Sequence, residues 1–327
     1  MSTTRRAALA LPALMLAPLM LSPGARAQAW PTRPVRVIVG FPAGSTPDIA
    51  ARAVATHFQS VLGQPVVVDN RAGGGGTIGV DAAIRAQDGH TLAVTIGGPG
   101  SIAKLVNPAL SYDPPTDLMP ISLLARMPFV LSVNNDLPVR NVAELIAHAR
   151  ANPGQLNYGS VGAGTLGHLV TAEFVARHGL DITHVPFRSW PQSIAEVVAG
   201  RLQVMAAAAG AVLPQARAGQ VRPLAVTGEA RMPQLPDVPT LREQGEPDIG
   251  VYAWIGLFAP RGTPEAHITR LSAEAASALA APETNRALTT AGFEPLGTPP
   301  GPLAELIRAE VSHWGEVIQR LGIRPES

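Results

Sequence analysis

Apolar residues in this chain fall in short unbroken runs, and most runs end in glycine or proline. VRVIVGF (Val35 to Phe41) is continuous and β-branched, the pattern of a strand covered on both faces. PAGSTPD follows, with Thr46 as a helix cap and Pro47 in the first helical position, which predicts a helix running to about Leu62. PVVVDN repeats the strand pattern, followed by the loop RAGGGGTIG and a helix through Val80–Gln87. TLAVTIGG (Thr91 to Gly98) is a third strand ending in glycines. Strand, glycine-bearing loop and helix therefore recur as a unit.

Beyond the proline-rich patch YDPPTDLMP, the segment ISLLARMPFVLSVNN is extended and long enough to leave one sheet and enter another. A second series follows: helix Val142–Ala151, strand QLNYGS, a glycine loop, helix Leu166–His178, strand ITHVPF and helix Gln192–Ala199. It continues with strand LQVMAAA, a short helix Leu213–Ala218 and strand RPLAVTG. After a second proline cluster, VYAWIGLFAP (Val251 to Pro260) is again extended, and helices are predicted at Pro264–Leu279, Glu283–Ala291 and Pro302–Leu321. This alternation predicts an α/β fold with parallel sheets and helices on both faces. The two long extended segments predict two crossings between two α/β domains. The first domain is then discontinuous, residues 29–128 and 254–327, and the second comprises 129–253. Such a chain can close like a clam about its crossing strands.

The N-terminus narrows the compartment. Arg5 and Arg6 precede the apolar run Ala7 to Leu21, and Ala25-Arg26-Ala27 is a small-x-small cleavage site. The run falls short of the roughly 20 residues of a membrane span and contains Pro12 and Pro18. Residues 1–27 read as a signal peptide cleaved after Ala27, giving an exported protein. The paired arginines fit either an ordinary secretory or a twin-arginine signal. Removing residues 1–27 takes three arginines and no acids from 25 basic and 24 acidic residues, leaving 22 against 24, a balance of −2. That balance lacks the basic excess of a nucleic-acid binder. The absence of cysteine excludes thiol catalysis and disulfide stapling. The histidines are scattered without metal-ligand spacing, so no metal is expected.

The glycine loops carry the candidate chemistry. In open α/β sheets ligands bind at the carboxyl ends of strands, where helix N-termini present unpaired amides and a positive dipole. In the first domain Ala43, Gly44, Ser45 and Thr46 open a helix, and Gly97 lies at the end of a strand. In the second, Ser160, Gly162, Ala163, Gly164 and Thr165 do the same. Loops facing one another across a cleft would grip a carboxylate from both sides, with hydroxyls as neutral donors. Asp48 reads either as a ligand contact or as an acid in a helix first turn, and His168 as a cleft or a structural histidine. Arg188 reads either as a partner for a distal carboxylate or as solvated surface.

Gly162-x-Gly164-x-x-Gly167 also spells the dinucleotide fingerprint, which keeps an exported NAD(P)-dependent oxidoreductase as the alternative. The acid it requires would be Asp181, which precedes its strand and so stands at the wrong end of the sheet. Ser160 follows Gly159 directly and does not form G-x-S-x-G, against a hydrolase.

FPAGSTPDIAAR, VVVDNRAGGGGTIG, DGHTLAV, YGSVGAGTLGHL, HVPFRSW, LAVTGEARMPQLPDVPTLREQG and WIGLFAPRGTPE occur in one order. In order and spacing they resemble the Bug (TctC-like) family, periplasmic solute receptors of tripartite tricarboxylate transporters, over nearly the whole mature chain. The resemblance implies a periplasmic binding protein-like (Venus flytrap) fold that is not an enzyme and needs no cofactor. It implies a monomer that captures a small carboxylate for a membrane permease; signalling through a membrane sensor is left open. It places the cradle in Phe41–Asp48 and Ser160–His168, with Phe187 and Arg188 after HVPF beside it. Three positions depart from the family pattern: Ser45 replaces a second glycine, Ser189 replaces the glycine usual two residues after HVPF and is followed by the bulky Trp190, and Ala207 stands where an aspartate near the cleft is usual. These departures imply a less polar or bulkier acid.

Overall fold

The structure is a computed structural model describing residues 30–246 and 251–324. The leader and its cleavage site lie outside the described residues.

The first unit runs β1 (Val35–Val39), α1 (Thr46–Leu62), β2 (Val66–Asn70), a 3-10 turn at Gly74–Gly76, α2 (Thr77–Ala86) and β3 (Thr91–Ile96). Burial of both faces of β1 accounts for its unbroken apolar run. Helix α1 is capped by Ser45 in extended conformation, with Pro47 inside the first turn, and it stops at Gly63 in the left-handed region. The cap is one residue earlier than the sequence predicts. Two one-turn helices, α3 (Ala103–Val106) and α4 (Pro114–Asp117), lead into β4 (Leu118–Asn134).

The second unit comprises α5 (Val142–Ala151), β5 (Leu156–Ser160), α6 (Leu166–Arg177), β6 (Ile182–Pro186), α7 (Trp190–Val198), β7 (Val204–Ala208), α8 (Ala209–Arg217) and β8 (Val221–Val226). Asn141 starts α5 by accepting the Glu144 amide, while Glu144 reaches back to the Arg140 amide, a reciprocal cap. The chain then returns through β9 (Tyr252–Pro260), α9 (Glu265–Ala280), α10 (Pro282–Thr290), the short β10 (Glu294–Pro295) and α11 (Pro300–Leu321).

The strands form one continuous curled sheet in the order β2-β1-β3-β9-β4-β7-β5-β6, with β8 and β10 also on β4. Pairing is parallel within β2-β1-β3 and within β7-β5-β6. It is antiparallel at every junction involving β4 or β9. All-parallel sheets are therefore corrected to mixed ones: a strand that carries the chain out of a parallel set without a helical crossover runs back against its neighbours. At about 3.3 Å per residue, β4 is long enough to belong to both halves. Its residues 118–128 pair with β9 and 129–134 pair with β7 and β8. The register shifts between Pro120 and Ser122, where proline withholds an N–H from the ladder, and again between Leu123 and Ala125.

The main hydrophobic cluster runs from β1 through β9 and β4 into β7 and α8, and a smaller one packs α5 beneath β8 at the far end of the second unit. Helix α9 lies against α1 and β4, and α11 packs on β4, α3 and α6, with Arg320 of α11 paired to Glu173 of α6. Phe258, fully buried on β9 between Ala93 and Pro120, stands at the centre of this sheet. Phe258→Ala is expected to destabilise the protein by about 3–5 kcal/mol, measured by urea unfolding.

Candidate functional site

The loops from β1 to α1 and from β5 to α6 are built to one plan. Each has a glycine in the left-handed region, Gly44 at φ +79° and Gly164 at φ +74°, which a β-carbon disfavours. Each follows it with a hydroxyl residue in extended conformation at the helix cap, Ser45 and Thr165. In each, the side chain four residues on accepts the glycine amide: Asp48 Oδ2 accepts Gly44 N–H at 2.8 Å, and His168 Nδ1 accepts Gly164 N–H at 3.0 Å.

Those bonds decide what Asp48 and His168 do. Asp48 is 2 % exposed, and its oxygens also accept from Arg52 Nε and Asn70 Nδ2, both at 2.9 Å. Burial works to raise this carboxyl, but hydrogen bonds from Arg52, Gly44 and Asn70 outweigh it and hold it below the usual range. His168 stacks on His184 with ring centres 4.0 Å apart, and Ser160 Oγ lies 2.7 Å from His184 Nε2 while accepting the Gly162 amide at 3.1 Å. Burial pushes His168 down to about 3, with His184 adding repulsion, and pushes His184 down to about 4. Both rings are neutral at ordinary pH, and the accepting Nδ1 of His168 places its proton on Nε2. Asp48, His168 and Ser160 therefore brace their own loops and do not reach into the cleft.

With those braces turned inward, the first-turn amides point outward. In α1 the amides of Thr46 and Asp48 have no acceptor among the described residues, nor do those of Leu166, Gly167 and His168 in α6. Neither cap side chain serves its own helix; Ser45 Oγ is buried without a partner, and Thr165 Oγ donates to Gly162 O. Two helix N-termini with open amides converge on one place, which suits an anion on electrostatic and hydrogen-bonding grounds alike.

The loop after β3 meets the β5–α6 loop in direct contact. A β-carbon built on Gly98 would stand 2.8 Å from Gly164 O, and one on Gly97 would stand 2.3 Å from Leu166 Cδ1. This contact separates an outer cleft of about 460 Å³ from an inner pocket of about 20 Å³, and Thr165 lines both. The outer cleft is walled by Gly73–Gly76, Pro99 and Val106 on one side and by Gly162, Ala163, Gly164, Phe187 and Arg188 on the other. The inner pocket holds Thr46 and Gly97 among apolar walls from Met127, Phe129, Trp190, Ala208 and Trp254.

The residues selected from sequence thus divide. Thr46, Gly97, Gly162, Ala163, Gly164, Thr165, Phe187 and Arg188 line one or both spaces, and Ser45 sits half-buried at the cap of α1 with its Oγ buried. Phe41 is packed under Gly76 instead, while Ala43 and Gly44 are exposed outside both linings. Ala207 is fully buried opposite Val130, and its neighbour Ala208 faces the pocket, because successive strand side chains alternate. Sequence reasoning missed the walls Met127, Phe129 and Trp254, which carry no chemical signature inside apolar strands. No group of three or more histidines or acids able to hold a metal occurs among the described residues.

The glycine fingerprint serves packing. Gly162 abuts Gly75, Gly164 abuts Val106, and Gly167 lies against Trp190 and the Ala206 carbonyl. Asp181 precedes β6, where its carbonyl accepts the Gly154 amide, so it stands at the end of the sheet opposite the glycine loop. The dinucleotide reading finds no support here.

Gly164→Val places a β-branched residue at φ +74° and 2.4 Å from Val106 Cγ2. It is expected to cost about 1–3 kcal/mol and to wedge the cleft open, measured as a larger radius of gyration by small-angle X-ray scattering. The histidine pair predicts acid sensitivity. Because the folded pKa values lie below the unfolded value of 6.5, the stabilisation is complete above pH 6.5 and is lost as pH falls towards about 4. His184→Gln should flatten that part of the stability profile, read from urea unfolding at each pH.

Residues 50–323 match the family model described as "Tripartite tricarboxylate transporter family receptor". A Pseudomonas protein encoded in a tcbD-tcbE intergenic region is 39% identical over 295 residues, covering 90% of this chain and 88% of the relative. A protein of R. palustris solved with adipate is 36% identical with a TM-score of 0.85, covering 91% of this chain and 100% of that one. MatC from Rhodopseudomonas palustris, solved with bound malate, is 33% identical with a TM-score of 0.83, covering 88% of this chain and 100% of that one. The fold and sequence together place this chain in the family of receptors of tripartite tricarboxylate transporters.

Proposed function

We propose that this protein captures a small organic carboxylate between its two βα loops and delivers it to the permease of a tripartite transporter. The observation that carries the reading is that the N-termini of α1 and α6, with open amides on both, border one inner pocket, lined by Thr46 and by Thr165, Leu166 and Gly167. Similar proteins solved with adipate and malate support the ligand class. The lobes are residues 29–128 with 254–327, and 129–253, and β4 carries the chain from one to the other. The protein acts as a monomer in the periplasm after cleavage behind Ala27.

Binding follows from this arrangement. One carboxylate of the ligand replaces water at the open amides, and the hydroxyls of Ser45 and Thr165 lie beside it. Because it touches both lobes, it binds the closed state more tightly than the open one and shifts the population towards closure. The inner pocket, about 20 Å³ in this arrangement, must widen as the lobes part to admit a ligand body; its apolar walls then favour an aliphatic or aromatic one, and the exposed Arg188 at the outer cleft meets a distal anionic group. We assign no catalytic role. Ser160 and His184 lie at hydrogen-bond distance, but Ser160 is fully buried and its oxygen already accepts the Gly162 amide.

A thermal-shift screen of residues 28–327 tests this with mono-, di- and tricarboxylates, aromatic acids, amino acids, NAD and NADP. One class of acid is expected to stabilise the fold, by about 2.7 kcal/mol at a hundredfold excess over its dissociation constant. A shift with NAD or NADP alone would overturn the receptor reading. Binding restricted to citrate-like polyacids and amino acids would overturn the preference for a less polar body.

A further inference from the structure

Beneath the inner pocket lies a carboxylate that the binding scheme does not use. Glu310, on α11, is 7 % exposed. Ser101 Oγ–H donates to its Oε2 at 2.7 Å, and Trp254 Nε1–H donates to its Oε1 at 2.7 Å. Ser101 Oγ in turn accepts the Gly98 amide at 3.2 Å. These partners belong to the cleft: Trp254 walls the inner pocket, Gly97 lies where a β-carbon would stand 2.9 Å from Trp254 Nε1, and Gly98 abuts Gly164 across the lobes. One side chain of the C-terminal helix thus ties the loop after β3 to the returning strand β9.

No cation neutralises it among the described residues. On the side away from the cleft, Glu310 borders a pocket of about 400 Å³ lined also by Arg126 of β4, Glu229 beyond β8, Tyr252 of β9 and His313 of α11 itself. Arg126 is committed to Glu294, at 2.7 and 3.0 Å, and stacks 4.5 Å above the Tyr252 ring. Lys104 of α3 is turned to the Leu110 carbonyl.

We propose that Glu310 is a positioning residue for the carboxylate site and that capture of an anion is linked to proton uptake on Glu310. The inference rests on the carboxylate-receptor reading. An ionised Glu310 stands two hydrogen bonds from the Gly98 amide in a water-poor interior, where like charges repel strongly. A protonated Glu310 removes the repulsion and keeps both ties: its carbonyl oxygen accepts from Trp254 and its O–H donates to Ser101 Oγ. Burial pushes this carboxyl up to about 7, against the lowering pull of Ser101 and Trp254, so both states are accessible near neutral pH. Carboxylate ligands, with ordinary pKa values near 4, stay ionised throughout that range. The sign follows: affinity is highest below about pH 7 and falls as pH rises above it.

The test measures adipate and malate binding by calorimetry between pH 6 and 8, alongside the near-UV circular dichroism of the ligand-free protein over the same range. Wild type is expected to bind about tenfold more weakly at pH 8 than at pH 6. Glu310→Gln, a permanent copy of the protonated group, is expected to bind at pH 8 as wild type does at pH 6. Glu310→Ala is expected to bind more weakly at every pH, and His313→Gln to keep the wild-type profile. Without ligand, a tryptophan signal should titrate near pH 7 and vanish in both Glu310→Gln and Trp254→Phe. A flat wild-type affinity profile, or a tryptophan signal that does not titrate, overturns the proposal. If neither acid binds while the tryptophan titration behaves as expected, the dicarboxylate reading fails, the proton link fails for these acids, and the Glu310 tie to Trp254 stands.

Discussion

The approach of one main chain to another across the cleft is the constraint on which the rest of the structure depends. At Gly98 there is room for hydrogen and nothing larger against the Gly164 carbonyl, and at Gly97 a methyl group would collide with Leu166. This approach seats the β5–α6 loop, with the first-turn amides of α6, directly against the loop after β3 in the first lobe. Everything behind the loops serves to hold them there. Strand β4 gives both lobes a common edge, and α11, packed on β4, α3 and α6, spans them from behind.

The loops are held by an economical device. An acceptor four residues into each helix fixes the glycine amide, so the turn keeps its left-handed shape without any contact from the ligand side. The first lobe uses a charged acceptor, Asp48, compensated by Arg52; the second uses a neutral imidazole, His168, stacked on His184. A negative brace in both loops would place two carboxylates behind a site that attracts an anion. The neutral histidine avoids that on one side, and the salt bridge offsets it on the other.

How much of this was legible in the sequence depended on whether a feature was local. Helix α5 follows from Asn141 and Glu144, whose reciprocal cap is a short-range pattern, and its bounds fall where the sequence places them. Helix α8 begins at Ala209, directly after β7, and not at Leu213, because a run of alanines suits strand and helix equally and marks no boundary. Helix α7 begins two residues early, at Trp190, since Pro191 fits a first helical turn. The glycine loops were visible as loops. The direction in which Asp48 and His168 point was not, because it is set by the backbone angles at Gly44 and Gly164. Trp254, Met127 and Phe129 fall in segments that the sequence marks only as extended, and they are buried residues that also line the inner pocket.

The braces and the walls fall on different residues, and this separation bears on how such a receptor changes over generations. Asp48, His168 and Ser160 hold the shape of the loops from the side away from the pocket. Met127, Phe129, Trp190 and Ala208 line the inner pocket and take no part in those braces. A lineage can therefore exchange one set of wall residues for another and acquire a new nutrient while its grip on the carboxylate is inherited unchanged.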